Sequence, residues 1–235
     1  MKKLIFVLML GLILGIATSA SAVSVSATAT GDNWVWVWQN NAWTEGTNYW
    51  KWQVADTTSI TGLSYGQSAD FYFAVMNEDR ASGNPAGLLA QLSGVTFKET
   101  GTDKLLSNTV YYWQVAAVTN ATWGLGQDGV RPPEGQSSNP TDPGFNPTSI
   151  SNWTAPTSYG TNDDGVNLWG PVPGIDGKAE WLWTANNNYT APSTMDQLAV
   201  FKVTATPVPE PASVALLCMG LVGLAGRKLR RKFTA

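Results

Sequence analysis

Trp34-Val35-Trp36-Val37-Trp38, followed at once by Gln39-Asn40-Asn41, and Asp70-Phe71-Tyr72-Phe73-Ala74-Val75-Met76 are the stretches on which the fold turns. Aromatic and β-branched side chains favour the pleated backbone of a strand, and paired Asn residues favour the turn that ends one. The same chemistry returns at Tyr49-Trp50-Lys51-Trp52-Gln53-Val54, Val110-Tyr111-Tyr112-Trp113-Gln114-Val115, Glu180-Trp181-Leu182-Trp183 and Leu198-Ala199-Val200-Phe201-Lys202-Val203. Turn signals stand between these runs at Gly62, Gly83-Asn84-Pro85 and Gly101-Thr102-Asp103, and no stretch sustains a helical period. Short strands with turn punctuation predict an all-β chain, a single antiparallel β-sandwich or jelly roll. A Pro-, Gly-, Ser- and Asn-rich stretch runs from Gly124 to Thr148, and Gly126 to Pro147 is expected to be a long surface loop within one domain spanning residues 23–206.

Outward from this body, the two ends carry different chemistry. Lys2 and Lys3 precede an apolar run from Leu4 to Ile16, and Ala20-Ser21-Ala22 offers the small-x-small pattern of a signal peptidase site. Residues 1–22 therefore read as a secretory signal peptide cleaved after Ala22. The apolar run is too short for the roughly 20 residues that a membrane-spanning helix needs.

At the other end, Pro207-Val208-Pro209-Glu210-Pro211 leads into an apolar segment, Ala212 to Gly226, and then into Arg227-Lys228-Leu229-Arg230-Arg231-Lys232. A basic cluster after an apolar helix stays on the cytoplasmic side. As a helix this segment is only about 22 Å long, so it is expected to span as a short, temporary anchor. Residues 207–235 closely resemble the PEP-CTERM sorting signal: the Val208-Pro209-Glu210-Pro211 motif, the Gly- and Leu-rich helix through Gly220-Leu221-Val222-Gly223-Leu224, and the Arg-rich terminus. The resemblance implies recognition by an exosortase, processing near Pro209, Glu210 and Pro211, and delivery to the cell envelope, outer surface or extracellular matrix of a Gram-negative bacterium that makes exopolysaccharide. Cys218 falls within the apolar segment and reads as a small packing residue.

Charge and composition narrow the chemistry of the body. Between residues 23 and 206 there are seven basic residues against 16 acidic ones, a net of about −9. Binding to nucleic acid needs clustered cations and is excluded. The chain has no His and one Cys, which removes imidazole-based proton transfer, Ser-His-Asp and Cys-His nucleophiles, and His- or Cys-based zinc sites. Glycoside cleavage needs two carboxylates flanking one bond, and the spacing of Glu45, Glu78, Asp79, Glu99, Glu134 and Glu180 marks no such pair. The body is expected not to be an enzyme.

A second resemblance covers most of residues 27–205. Gly31-Asp32-Asn33, the aromatic strand ending at Asn40-Asn41, Gly83-Asn84-Pro85-Ala86-Gly87-Leu88-Leu89-Ala90-Gln91-Leu92, Asn152-Trp153-Thr154-Ala155-Pro156 with Ser158-Tyr159-Gly160, and Lys178-Ala179-Glu180-Trp181-Leu182-Trp183 follow in an order similar to the galactose-binding-domain-like jelly rolls attached to bacterial glycosidases. Modules of that superfamily often bind carbohydrate, and many only brace neighbouring domains. The chain departs from the pattern in its density of Trp between Trp34 and Trp52.

All twelve Trp lie between Trp34 and Trp183. An indole face stacks on the C–H edges of a pyranose while neighbouring amides bond its hydroxyls; equally, Trp at strand spacing fills a core. The loop Trp residues beside polar neighbours are the carbohydrate candidates: Trp43 with Asn40 and Asn41, Trp123, and Trp169. No cofactor and no metal centre are expected. Asp163 and Asp164, in Asn162-Asp163-Asp164-Gly165, are the candidate oxygen ligands should calcium bind, although such sequences commonly form plain turns. The expected function is that of an exported, non-catalytic matrix protein, with signal peptidase, exosortase and the membrane as processing partners and exopolysaccharide as its contact. The alternatives are a purely structural, self-associating matrix protein and a polysaccharide-degrading enzyme.

Overall fold

A computed structural model describes residues 22–32, 34–45, 52–76, 86–109, 112–118, 145–164, 169–186, 198–209 and 220. Thirteen strands run in chain order: β1 (Ala22–Asp32), β2 (Trp34–Gln39), β3 (Ala42–Glu45), β4 (Asp56–Ser64), β5 (Ala69–Met76), β6 (Gly87–Ser93), β7 (Thr96–Phe97), β8 (Lys104–Leu106), β9 (Trp113–Ala117), β10 (Thr157–Thr161), β11 (Glu180–Trp183), β12 (Leu198–Ala205) and β13 (Pro207–Val208). A 3-10 turn, Pro147–Ser149, is started by Asn146, whose side chain accepts from Thr148 N–H.

The strands form two main antiparallel sheets. One has the order β10-β11-β6-β1-β4, with β8 also on β6; the other runs β3-β2-β5-β12-β9; β13 pairs with β7 in a third, two-stranded ladder. The expected sandwich is therefore present. The two main sheets meet over one core, in which Val25, Ala27, Ala29, Leu88, Ala90, Leu92 and Leu182 of the first face Val35, Val37, Phe71, Phe73, Val75, Phe201 and Val203 of the second. Asn40 and Asn41, with φ of 51° and 61°, make the two-residue turn that closes the β2–β3 hairpin with Gln39 opposite Ala42. Left-handed backbone at both central positions is what Asn tolerates best after Gly.

Several elements depart from the sequence expectation. Trp52–Val54 form a turn ahead of β4 rather than a strand, and Gly62 lies within β4, at φ 79° beside the irregular pairing of Val23 and Val25. Strand β1, although rich in Ala, Ser and Thr, is interior in its sheet, with β4 on one side and β6 on the other. It is strand-like by alternation, since Val25, Ala27 and Ala29 point into the core, and its small side chains leave room for the larger ones of the facing sheet. Gly31 shows how tight the approach is, because a Cβ there would stand 2.9 Å from Val75 Cγ1. The expected division between residues 206 and 207 falls inside laddered chain, since β13 extends the fold to Val208. Most of the expected signal peptide, Trp123 and residues 124–144, most of the stretch expected to be a surface loop, lie outside the described residues. So does the apolar C-terminal segment apart from Gly220, which is helical. Among the described residues no helix is long and apolar enough to cross a membrane.

Ser107 joins three strands, β6, β8 and β11. Its backbone exchanges hydrogen bonds with Ala90 O and Glu180 N–H, while its hydroxyl accepts from Ala90 N–H and donates to Glu180 O at 2.7 Å. Replacing it by Ala leaves a buried donor and acceptor without that partner. Ser107→Ala is expected to lower stability by about 1–3 kcal/mol, read as a lower urea midpoint with an unchanged slope.

Candidate functional site

The aromatic runs occupy outer sheet faces rather than the space between the sheets. On the second sheet, alternation turns Val35 and Val37 inward and Trp34, Trp36 and Trp38 outward, where Tyr72, Ala74, Leu198 and Val200 share their face. Trp36 lies opposite Ala74, whose small side chain gives the indole room. The chain from Phe145 to Thr154 covers this face: Trp43 donates its indole N–H to Phe145 O at 2.8 Å, Trp153 packs on Tyr72, and Thr154 exchanges backbone hydrogen bonds with Val115 on edge strand β9. Lys202 Nζ stands 4.8 Å from the Trp153 ring centre, a cation–π contact.

The outer face of the first sheet has its own cover. Trp169 stacks on Trp181 with ring centres 4.5 Å apart, and Leu89, Val172, Ile175 and Ala179 close round the pair. Two buried amides pin this covering segment. Asn162 donates to Val172 O and Ile175 O and accepts from Val172 N–H, while Gln91 donates to Gly174 O and accepts from Asp176 N–H. Asp176 also pairs with Lys104 Nζ at 2.9 Å, and the hydrogen bond from Lys104 holds its carboxyl below the usual carboxylate range. Trp181 and Trp183 bury indole N–H groups that find no hydrogen-bond partner, so both rings serve as apolar area.

The expected carbohydrate candidates occupy the following places. Trp43 is not a loop residue but part of β3, and only 7% exposed; Trp169, at 4%, is packed face to face with Trp181 and donates to buried Asp32. Neither presents a free ring face. Trp123 lies outside the described residues. Asn40 and Asn41 are exposed and are used by the chain as a hairpin turn. The sequence treated Trp as either core or platform, whereas the chain uses a third arrangement, outer faces roofed by covering segments. Asn162 and Gln91, the residues that make the first roof possible, had no signal beyond an Asn in a turn and a polar residue in an apolar strand.

The acidic side chains hold structure. Asp163 and Asp164 sit in the turn after β10, where Asp163 accepts from Thr161 Oγ1, and among the described residues no group of three or more potential metal-binding side chains gathers. Asp70 accepts from Thr204 Oγ1 and from the Tyr72 hydroxyl, and Glu180 accepts from the backbone and hydroxyl of Thr109. Burial, with the charge of Asp70 and its hydrogen bond, pushes the Tyr72 phenol up to about 12.

The beginning of the C-terminal motif is built into the sandwich. Thr206 N–H donates to Glu99 Oε2, its carbonyl accepts from Lys98 N–H, and its hydroxyl lies 2.7 Å from Ser68 Oγ. Pro207 is buried opposite Phe97, and its carbonyl accepts from Gly66 N–H at 2.7 Å. Because the Pro207–Phe97 pair lies between hydrogen-bonded pairs, no N–H is needed there and Pro fits the ladder. Val208 pairs with Thr96, and Pro209 is exposed. At the other terminus Ala22, the expected signal-cleavage residue, begins β1 opposite Ser64, two residues from Gly66, at the same end of the sandwich as the start of the sorting motif; Ala20 lies outside the described residues.

Comparison with protein families matches residues 207–232 to the PEP-CTERM protein-sorting motif. The motif implies recognition by an exosortase, with export and envelope-associated sorting in a Gram-negative bacterium. No curated protein and no solved structure matches the chain.

Two measurements test this geometry. A Cβ at Gly87 would stand 2.8 Å from Trp181 Cε3 and 3.1 Å from Trp169 Cζ2, so Gly87→Ala is expected to cost about 1–3 kcal/mol by overpacking and to alter the near-ultraviolet circular dichroism of the stacked pair. Tyr72 is raised above its ordinary value, so its neutral form favours the fold. That contribution is complete below about pH 10 and is lost as pH rises through about 12. Absorbance titration is expected to show a phenol ionising near 12 that Tyr72→Phe removes.

Proposed function

We propose that the exported body is a non-catalytic structural component of the envelope or extracellular matrix, carried there by the sorting motif. The observation that carries this reading is the roofing of both outer sheet faces: Trp34, Trp36, Trp43, Trp169 and Trp181 are at most 7% exposed. An aromatic surface kept for ligands has to be open, whereas one kept for rigidity is covered and pinned. The carboxylates support the same reading, since Glu99, Glu180, Asp70 and Asp176 each hold a backbone group or a neighbouring side chain. The resemblance of the body to galactose-binding-like jelly rolls agrees with a bracing module as well as with a binding one.

Contact with exopolysaccharide is the second reading; among the described residues its aromatic candidates are the half-buried Trp38, Trp52 and Trp153, and Trp123, outside them, stays a candidate. A body at about −9 repels anionic polymers at low ionic strength, so a neutral glycan is the easier partner.

Acrylamide quenching of the mature exported protein separates the two readings. The structural reading expects a blue-shifted emission, weakly quenched and unaltered by the organism's own polysaccharide. Protection from quenching by that polysaccharide, lost in Trp153→Ala, would establish glycan contact instead. New reducing ends that vanish with a single Asp or Glu substitution would overturn the non-catalytic reading. In producing cells, Glu210→Ala is expected to accumulate uncleaved precursor.

A further inference from the structure

The sorting motif and the folded body share residues. Its first two, Pro207 and Val208, are strand β13, and the apolar segment begins at Ala212. Only Pro209, Glu210 and Pro211 separate the ladder from that segment, at most about 14 Å of extended chain from Val208 to Ala212. An enzyme that cuts within a chain binds residues on both sides of the bond in extended form, through main-chain hydrogen bonds. Those groups are already engaged here: the carbonyls of Thr206 and Pro207 accept from Lys98 and Gly66, and Thr206 N–H is held by Glu99. A strand cannot pair with β7 and with an enzyme through the same groups at once.

We propose that Ser68 and Glu99, acting through Thr206, are positioning residues for the sorting step. They hold β13 in its ladder, so that the motif is presented from Pro209 onward and the ladder has to open before the processing enzyme can take up the chain preceding the cleaved bond. This inference rests on the sorting reading above and adds to it that the fold itself sets the rate of processing. Ser68 is exposed and Glu99 half-buried, so both are replaceable without opening the core.

The test follows conversion of precursor to mature protein by pulse-chase in producing cells. Ser68→Ala with Glu99→Ala is expected to speed conversion roughly two- to ten-fold, the effect of losing one to two hydrogen bonds, while the near-ultraviolet circular dichroism of the mature protein stays unchanged. Thr96→Cys with Val208→Cys, in a Cys218→Ala background, places a disulfide across a hydrogen-bonded pair whose Cα separation of about 5.5 Å suits one. This lock is expected to slow conversion at least about ten-fold, to be reversed by reductant, and to be bypassed by a four-residue Gly-Ser insertion between positions 208 and 209. A general loss of folding would produce neither the reversal nor the bypass. Unchanged rates in the loosened and locked variants, with Glu210→Ala still blocking, overturn the positioning role alone. Normal conversion of Glu210→Ala overturns the sorting reading and this inference with it.

Discussion

Strands β2, β5, β11 and β12 are apolar on both faces, and the remainder of the architecture answers to that. A two-sheet sandwich hides only the facing sides, and each Trp carries about 150–250 Å² of surface. Left open, the Trp34–Trp36 face alone would approach the few hundred Å² at which an exposed patch drives association. The chain resolves this by adding a layer on each side: Phe145–Thr154 over the second sheet, and the segment from Trp169 to Ala179 over the first. The fold is thus four layers deep, with the two sheets inside and two irregular segments outside.

Irregular chain can serve as a layer only if its backbone polar groups are satisfied, because an unpaired buried amide cancels much of what the apolar burial contributes. This explains the otherwise odd placement of Asn162 and Gln91 among apolar neighbours, where between them they meet five backbone groups of the first cover. On the second sheet the same need is met by the Thr154–Val115 bridge, which also closes the edge of β9. A low proportion of charged residues, 13%, fits this economy, with carboxylates tying loops to strands as well as keeping the surface hydrated.

The same end of the sandwich holds the start of β1 and sends β13 toward the sorting segment. In the precursor, a body with apolar segments at both termini and basic residues beyond each can place both segments in one membrane while remaining on a single side of it. Adjacent entry and exit points make that topology compatible with a folded body. They also leave little slack, since four residue steps separate the last laddered residue from the apolar segment.

Period-two alternation and the Asn40-Asn41 turn were legible in the sequence because they depend on neighbours along the chain; so were the sorting motif and the lack of imidazole chemistry, which depend on residue identity alone. The central place of strand β1 was not legible: its alternation is that of a strand, but only the bulk of the facing sheet makes its small Ala and Ser side chains suit an interior position. The exposure of Trp43 and Trp169 was also beyond sequence reasoning. A Trp beside Asn residues reads as a surface loop until Phe145, 102 residues away, covers it, or until Trp181 stacks on it across a glycine. Local chemistry determined which residues turn outward from each sheet. Whether outward meant solvent was decided only by tertiary structure, because burial depends on which distant segment lies over a face, and that contact leaves no mark on the spacing of the residues beneath it.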